Sequence, residues 1–183
     1  SRQGELDLVR SMIEEGENVN AVDREGWSAL HWACVRGHVD VAKLLLSRGA
    51  NMACLNSEKW SPIHYAAEKD QVKVLQQLLA FNGNLNIVGN NGWTPLHLAA
   101  AEGHSKALTF LVENGANVNA QETKDGWTPL HWACKRGHEF CVAFLLLNAA
   151  AVNQATSDGW SPLHMAAFAG HIAIVDLLLE NGA

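Results

Sequence analysis

A chain of 183 residues, 48% hydrophobic and 17% charged, is too apolar for a disordered segment and has the material for one folded body. Its 13 Lys+Arg against 19 Asp+Glu leave a formal net charge of -6, which repels phosphate backbones. Nucleic acid is therefore not expected as a partner, and a protein or peptide is, a basic one where charge contributes. The apolar run Cys141–Leu147 falls short of a bilayer span, and no basic start followed by an apolar core marks a secretory signal.

In chain order, Gly4–Val9 reads like the later stretch Gly37–Ala42, so residues 1–22 are expected to hold the second helix of a unit and its closing turn. Trp27 and Ser28 open the first whole unit. The hydroxyl caps a short helix, Gly37-His38 breaks it, and Val39, Ala42, Leu45 and Leu46 carry a second helix that closes at Gly49. Trp60 with Ser61-Pro62 starts the next unit, where Asp70-Gln71 replaces Gly-His and Lys59 replaces the glycine before the tryptophan. Trp93 with Thr94-Pro95, Gly103-His104 and Gly115 makes the third. Proline suits each of these starts because the first helical N–H has no partner in any case. Trp127 with Thr128-Pro129 and Gly137-His138 makes the fourth, which closes at Ala149 in place of glycine; Trp160 with Ser161-Pro162 makes the fifth, closing at Gly182.

These tryptophans fall at 27, 60, 93, 127 and 160, in steps of 33, 33, 34 and 33 residues. A constant step of this length means stacked supersecondary units. The one extra residue falls near Gln121–Asp125, a polar stretch where a turn absorbs it.

Cys34 and Cys134 stand where other units have Ala67, Ala100 and Ala167, which marks a small buried hole and predicts reduced thiols rather than disulfides. Nine histidines fall in two registers without zinc spacing or an HExxH arrangement, so no metal is expected. His31, His64, His97, His131 and His164 each follow a capping Ser or Thr by three residues, close enough to reach back to the cap. No nucleophile elbow, phosphate-cradling loop or paired catalytic carboxylates occur, so neither catalysis nor a cofactor is expected.

The period and the phrase running from Thr94-Pro95-Leu96-His97 through Gly103-His104 to Gly115-Ala116 and Val118-Asn119-Ala120 resemble the ankyrin repeat over almost the whole chain. The resemblance implies an all-α solenoid of helix-turn-helix units with β-hairpin-like loops. It implies one array over 1–183: a half repeat at 1–22, then repeats at 23–55, 56–88, 89–120, 121–155 and 156–183. The last helix keeps Ile172, Ile174, Val175, Leu177 and Leu178, where a capping repeat turns polar, so a longer parent chain is expected. The function implied is non-catalytic binding of a partner protein on the concave face by an intracellular monomer, in cytoplasm or nucleus. Asn86, Asn119 and Asn153 share one hairpin register. In this family that register resembles the substrate of an asparaginyl hydroxylase; the plainer expectation is that each asparagine bonds its own turn.

The aromatics admit two readings. Trp32 is two residues from Leu30 and from Cys34, so it points away from their buried face. Trp27 and Trp32 flank the helix start as a hydrophobic staple does, and the pairs Trp60–Tyr65, Trp93–Leu98, Trp127–Trp132 and Trp160–Met165 repeat the spacing. A staple needs no aromatic at its second position, yet Trp32, Tyr65 and Trp132 stand there. Placed by resemblance on the concave face, Trp27, Trp32, Trp60, Tyr65, Trp93, Trp127, Trp132 and Trp160 are candidate partner contacts. The hairpin residues Glu25, Glu58, Asn91, Asp125 and Asp158 join them. Trp27, Trp32 and Tyr65, with Glu68 for charge, would also suit a cage for a methylated lysine or an arginine, as in the ankyrin arrays of certain histone lysine methyltransferases. Two rivals are a sensor that stacks a small flat ligand on tryptophan and a structural spacer.

Overall fold

A computed structural model describes Ser11 and residues 16–183, so most of the expected half repeat at 1–22 lies outside the described residues. Each unit begins where a Ser or Thr in extended conformation ends the chain's turn. Ser28, Ser61, Thr94, Thr128 and Ser161 hold ψ between 165° and 167°. In all five the histidine three residues on completes a capping box, its Nδ1 accepting from the cap backbone N–H at 3.0–3.2 Å. The imidazole does what a glutamate does in the commoner version.

Ten α-helices follow among the described residues. The first helices of the units are α1 (Ala29–Arg36), α3 (Pro62–Glu68), α5 (Pro95–Glu102), α7 (Pro129–Arg136) and α9 (Pro162–Ala169). The second helices are α2 (Val39–Ser47), α4 (Val72–Ala80), α6 (Ser105–Glu113), α8 (Glu139–Leu147) and α10 (Ile172–Glu180). Each first helix packs on its own second helix and on the first helices of neighbouring units; the second helices form a parallel, less intimate row. Between the rows runs one core of fully buried Leu30, Leu45, Ile63, Leu75, Leu78, Leu96, Leu108, Leu111, Leu130 and Leu145. Burial of each such side chain is worth about 1.5–3 kcal/mol. Cys34 and Cys134 fill the small sites among them, and all four cysteines are free. Burial drives the Cys134 thiol up to about 12 and the Cys141 thiol up to about 11, so neither is a reactive thiolate.

Gly37 ends α1 in the left-handed region, with φ 69°. A β-carbon there would also run into the Gln71 side-chain amide of the next unit. Gly103 stands in the same relation to the His138 ring. Asp70 takes the left-handed conformation without being glycine, with φ 53°, and its carboxylate accepts from the Ala107 N–H of α6 at 2.9 Å. The departure from Gly-His in the second unit thus gains a bond to the third.

The connecting segments are turns; the one ladder contact among the described residues is an isolated antiparallel bridge between Val22 and Ser28. In three of the five turns the residue four before the tryptophan acts as a clamp. Asp23 accepts from the N–H of Trp27, Asn56 from that of Trp60, and Thr156 from that of Trp160. The fourth unit carries the extra residue and uses Glu122, whose longer side chain accepts from Lys124, Asp125 and Trp127 N–H groups at 2.7–3.2 Å. The third unit has Gly89 there and forms a single 3-10 turn, Asn90–Gly92, instead.

Candidate functional site

The turns and the outer flank of the first helices face the same side, and their aromatics form a row of ring contacts. Trp32 is 46% exposed, as its spacing from Leu30 and Cys34 predicts. Trp27 lies between Trp32 and Tyr65, with ring centroids 4.6 and 4.5 Å away. Further along, Trp60 meets Trp93 edge-on at 6.3 Å, Trp93 meets Trp132 at 4.6 Å, and Trp132 meets Trp127 at 4.6 Å. Trp160 meets Phe168 edge-on at 5.6 Å. The pairs Trp27–Trp32 and Trp127–Trp132 have the contact a staple requires.

Tyr65 behaves differently from its place in the staple. Its ring packs on Trp27 of the preceding unit rather than stacking on Trp60. Its phenol oxygen accepts from Asn56 Nδ2 at 2.9 Å and donates to Glu58 Oε2 at 3.3 Å, and burial pushes its pKa up to about 12. The trio Trp27, Trp32 and Tyr65 is consequently closed ring on ring. A cation held between two faces needs roughly twice the observed centroid spacing. Glu68 and Tyr65 line a slot of about 130 Å³ between α3 and α5, with Glu58, Trp60, His64 and Leu98, and neither Trp27 nor Trp32 is in its lining.

A larger cleft, of about 260 Å³, opens between α7 and α9. Trp127 and Lys135 form one wall, Trp160, Met165 and Phe168 the other, and Asp125 and Asp158 stand at the rim. Lys135 Nζ sits over the rings of Trp127 and Trp132, 4.6 and 5.3 Å from their centroids. The indole N–H of Trp132 is shut away from solvent with no acceptor. Phe168 is 78% exposed and Trp160 37% exposed. Sequence reasoning missed Lys135 and Phe168. Both stand three residues after the second staple position, the helical neighbour spacing at which Glu68 follows Tyr65.

The buried histidines fasten each first helix to the turn of the next unit. His31, His64, His97 and His131 donate from Nε2 to the carbonyls of Trp60, Trp93, Trp127 and Trp160, one unit further on, at 3.0–3.2 Å. Desolvation lowers the pKa of all four, of His64 and His97 to about 4, so they are neutral at pH 7. Among the described residues no group of three or more His, Cys, Asp or Glu is arranged to hold a metal ion, and no helix is long and apolar enough to cross a membrane.

The asparagines Asn86 and Asn119 join neighbouring turns. Asn86 donates to the Gly115 carbonyl and accepts from Asn117 N–H; Asn119 does the same with Ala149 and Ala151. Asn153 donates to Gly182. The bonding of a turn's own backbone belongs instead to Asn84 and Asn117, two residues earlier.

A family model described as ankyrin repeats (3 copies) matches residues 1–54, 43–122 and 119–183. Among curated proteins, the chain is similar to acyl-CoA-binding domain-containing proteins 1 and 2 of Arabidopsis thaliana, 50% identical in each case over 38 residues, 21% of this chain and 11% of each relative. It is also similar to Notch-regulated ankyrin repeat-containing protein A of Danio rerio, 46% identical over 35 residues, 19% of this chain and 31% of that protein. Each match is about one unit long, and the chain spans about a tenth of the first two relatives and under a third of the last.

Proposed function

The chain belongs to the ankyrin-repeat family, whose repeats generally mediate protein–protein interaction, and on that premise we propose that it binds a partner protein on the face built from its turns and first helices, without catalysis of its own. The contacts fall to Trp27, Trp32, Trp60, Tyr65, Glu68, Trp93, Trp127, Trp132 and Trp160, joined by Lys135 and Phe168. The observation that carries the reading is the α7–α9 cleft, where exposed Trp160 and Phe168 stand beside two rim carboxylates. Large aromatic side chains around a concavity are where binding energy concentrates. A spacer gains nothing from the exposed rings. The free thiols, three of them buried, suit an intracellular protein, and it acts as a monomer in this reading.

The test is capture on the immobilised chain from an extract of the source cells, comparing the parent with a Trp160→Ala, Phe168→Ser double variant. Both residues lie at the surface, so circular dichroism stays unchanged. A specific protein retained by the parent and lost by the variant supports the reading; equal retention by both contradicts it.

A further inference from the structure

The slot between α3 and α5 differs in chemistry from the rest of the face. We propose that it is an arginine pocket, which takes the guanidinium of the partner and so selects partners that present an arginine. The proposal rests on the protein-binding reading above and names one contact within it.

Glu58 reaches the slot from a turn and Glu68 from the last residue of α3, so carboxylates approach it from two elements. Trp60 supplies an indole wall and Leu98 an apolar one. The charged and titratable groups around it are few. Lys69 touches Glu68 Oε1 at 3.1 Å from a rim position where it is 46% exposed. His64, also in the lining, is neutral with its Nε2 on the Trp93 carbonyl. Tyr65 keeps its proton and spends it on Glu58. His104 Nε2 donates to the Glu68 backbone carbonyl at 2.7 Å. The lining itself carries two carboxylates and no cation, and Lys69, paired with one of them, is largely solvated.

The fourth unit shows what such walls attract. Lys135 stands at the same register as Glu68, each three residues after the second staple position, and its ammonium lies over two tryptophan rings. That unit supplies its own cation. The second unit has an acid at that register, so the cation on its indole has to come from outside. Guanidinium suits the space better than ammonium. It is flat enough to stack on Trp60, its fixed fork of donors reaches more than one carboxylate, and it sheds water more readily. Lysine in the same slot would only duplicate the point contact that Lys69 already makes with Glu68.

The probe is a serine-glycine pentapeptide with one central arginine, together with its lysine and citrulline counterparts, titrated into the whole chain while the Trp60 indole N–H signal is followed by NMR. The arginine peptide is expected to shift that signal saturably, the lysine peptide to bind more weakly, and citrulline, which keeps the shape without the charge, to leave it in place. Glu68→Gln is expected to weaken the arginine peptide roughly fivefold, the worth of about 1 kcal/mol for a half-exposed charge pair. Equal responses to arginine and citrulline, tighter binding of lysine than of arginine, or an unchanged affinity in a folded Glu58→Gln, Glu68→Gln variant would each overturn the assignment. None of these outcomes involves the natural partner. A slot that fails while the Phe168-dependent capture persists removes the arginine and leaves the protein-binding reading standing.

Discussion

His64 and Trp93 are joined across a unit boundary. The imidazole Nε2 donates to the tryptophan carbonyl at 3.0 Å, while Nδ1 accepts from the Ser61 N–H. Both ring nitrogens are used, one to cap a helix and one to fasten the next turn, and only the neutral Nε2–H tautomer can do both. The same bond recurs at His31, His97 and His131.

Acid is thus expected to loosen the stack. The folded pKa of His64 and of His97 is about 4, below the ordinary 6.5, so the unfolded chain takes up protons first as the pH falls. The stability these groups contribute is complete above pH 6.5 and is lost progressively between 6.5 and 4. At pH 5 the linkage relation gives a loss of about 2 kcal/mol for each of these two residues. Urea midpoints measured from pH 7.5 to 4.5 should fall in that window, and His97→Gln should flatten the fall. A midpoint independent of pH over that range contradicts the assignment.

Ala149 is a weak point in the fourth unit. Its backbone sits at φ 63°, where Gly49 and Gly115 serve elsewhere, a conformation that costs an alanine about 1–2 kcal/mol. Ala149→Gly should raise the thermal midpoint, since the Asn119 bond to its carbonyl needs no side chain. A lower midpoint would show that the strain is relieved in another way.

Glu122→Asp tests why the fourth turn tolerates one more residue. The charge is kept, but a carboxylate one methylene shorter cannot reach the N–H groups of Lys124, Asp125 and Trp127 together. The loss expected is about 1–3 kcal/mol. Deleting Lys124 from the Glu122→Asp protein should restore part of it, because that recreates the Asp23 turn. Thermal melts of the three proteins decide this, and an Asp variant as stable as the parent would refute it.

The two nearly identical phrases at 26–38 and 126–138 should respond unequally to the same change. Trp32 lies on Trp27 with its other side open, whereas Trp132 is in contact with Trp93 and Trp127 and lies under Lys135. Trp132→Ala is expected to cost about 3 kcal/mol and Trp32→Ala about 1 kcal/mol. Trp132→Phe should be close to neutral, because it removes an indole N–H that has no acceptor. Equal losses for the two alanine variants, read from denaturant midpoints, would contradict the packing.

Most of the fold was legible because it is local and repeated. The period placed the helices, the capping Ser and Thr placed their starts, and the histidine three residues on declared its own bond. What crosses from one unit to the next was not legible. That Tyr65 turns to Trp27, that Asn86 and Asn119 tie turns together, and that Glu68 belongs to the slot beside Trp60 all depend on which side of a helix meets its neighbour. Repeat spacing says that units stack but not how far each is rotated on the last. Lys135 was missed for a simpler reason: a lysine reads as a solvated charge unless the rings three and eight residues before it are considered together.

The central claim is that the turn and first-helix face carries the partner, and one measurement addresses it directly. A photo-crosslinking amino acid placed at Phe168 on that face, and in a second protein at Phe140, which is 56% exposed on the second-helix face, is irradiated in source-cell extract. The account predicts a discrete crosslinked protein from position 168 that is absent from position 140. A crosslink formed from position 140 and missing from position 168 would contradict it.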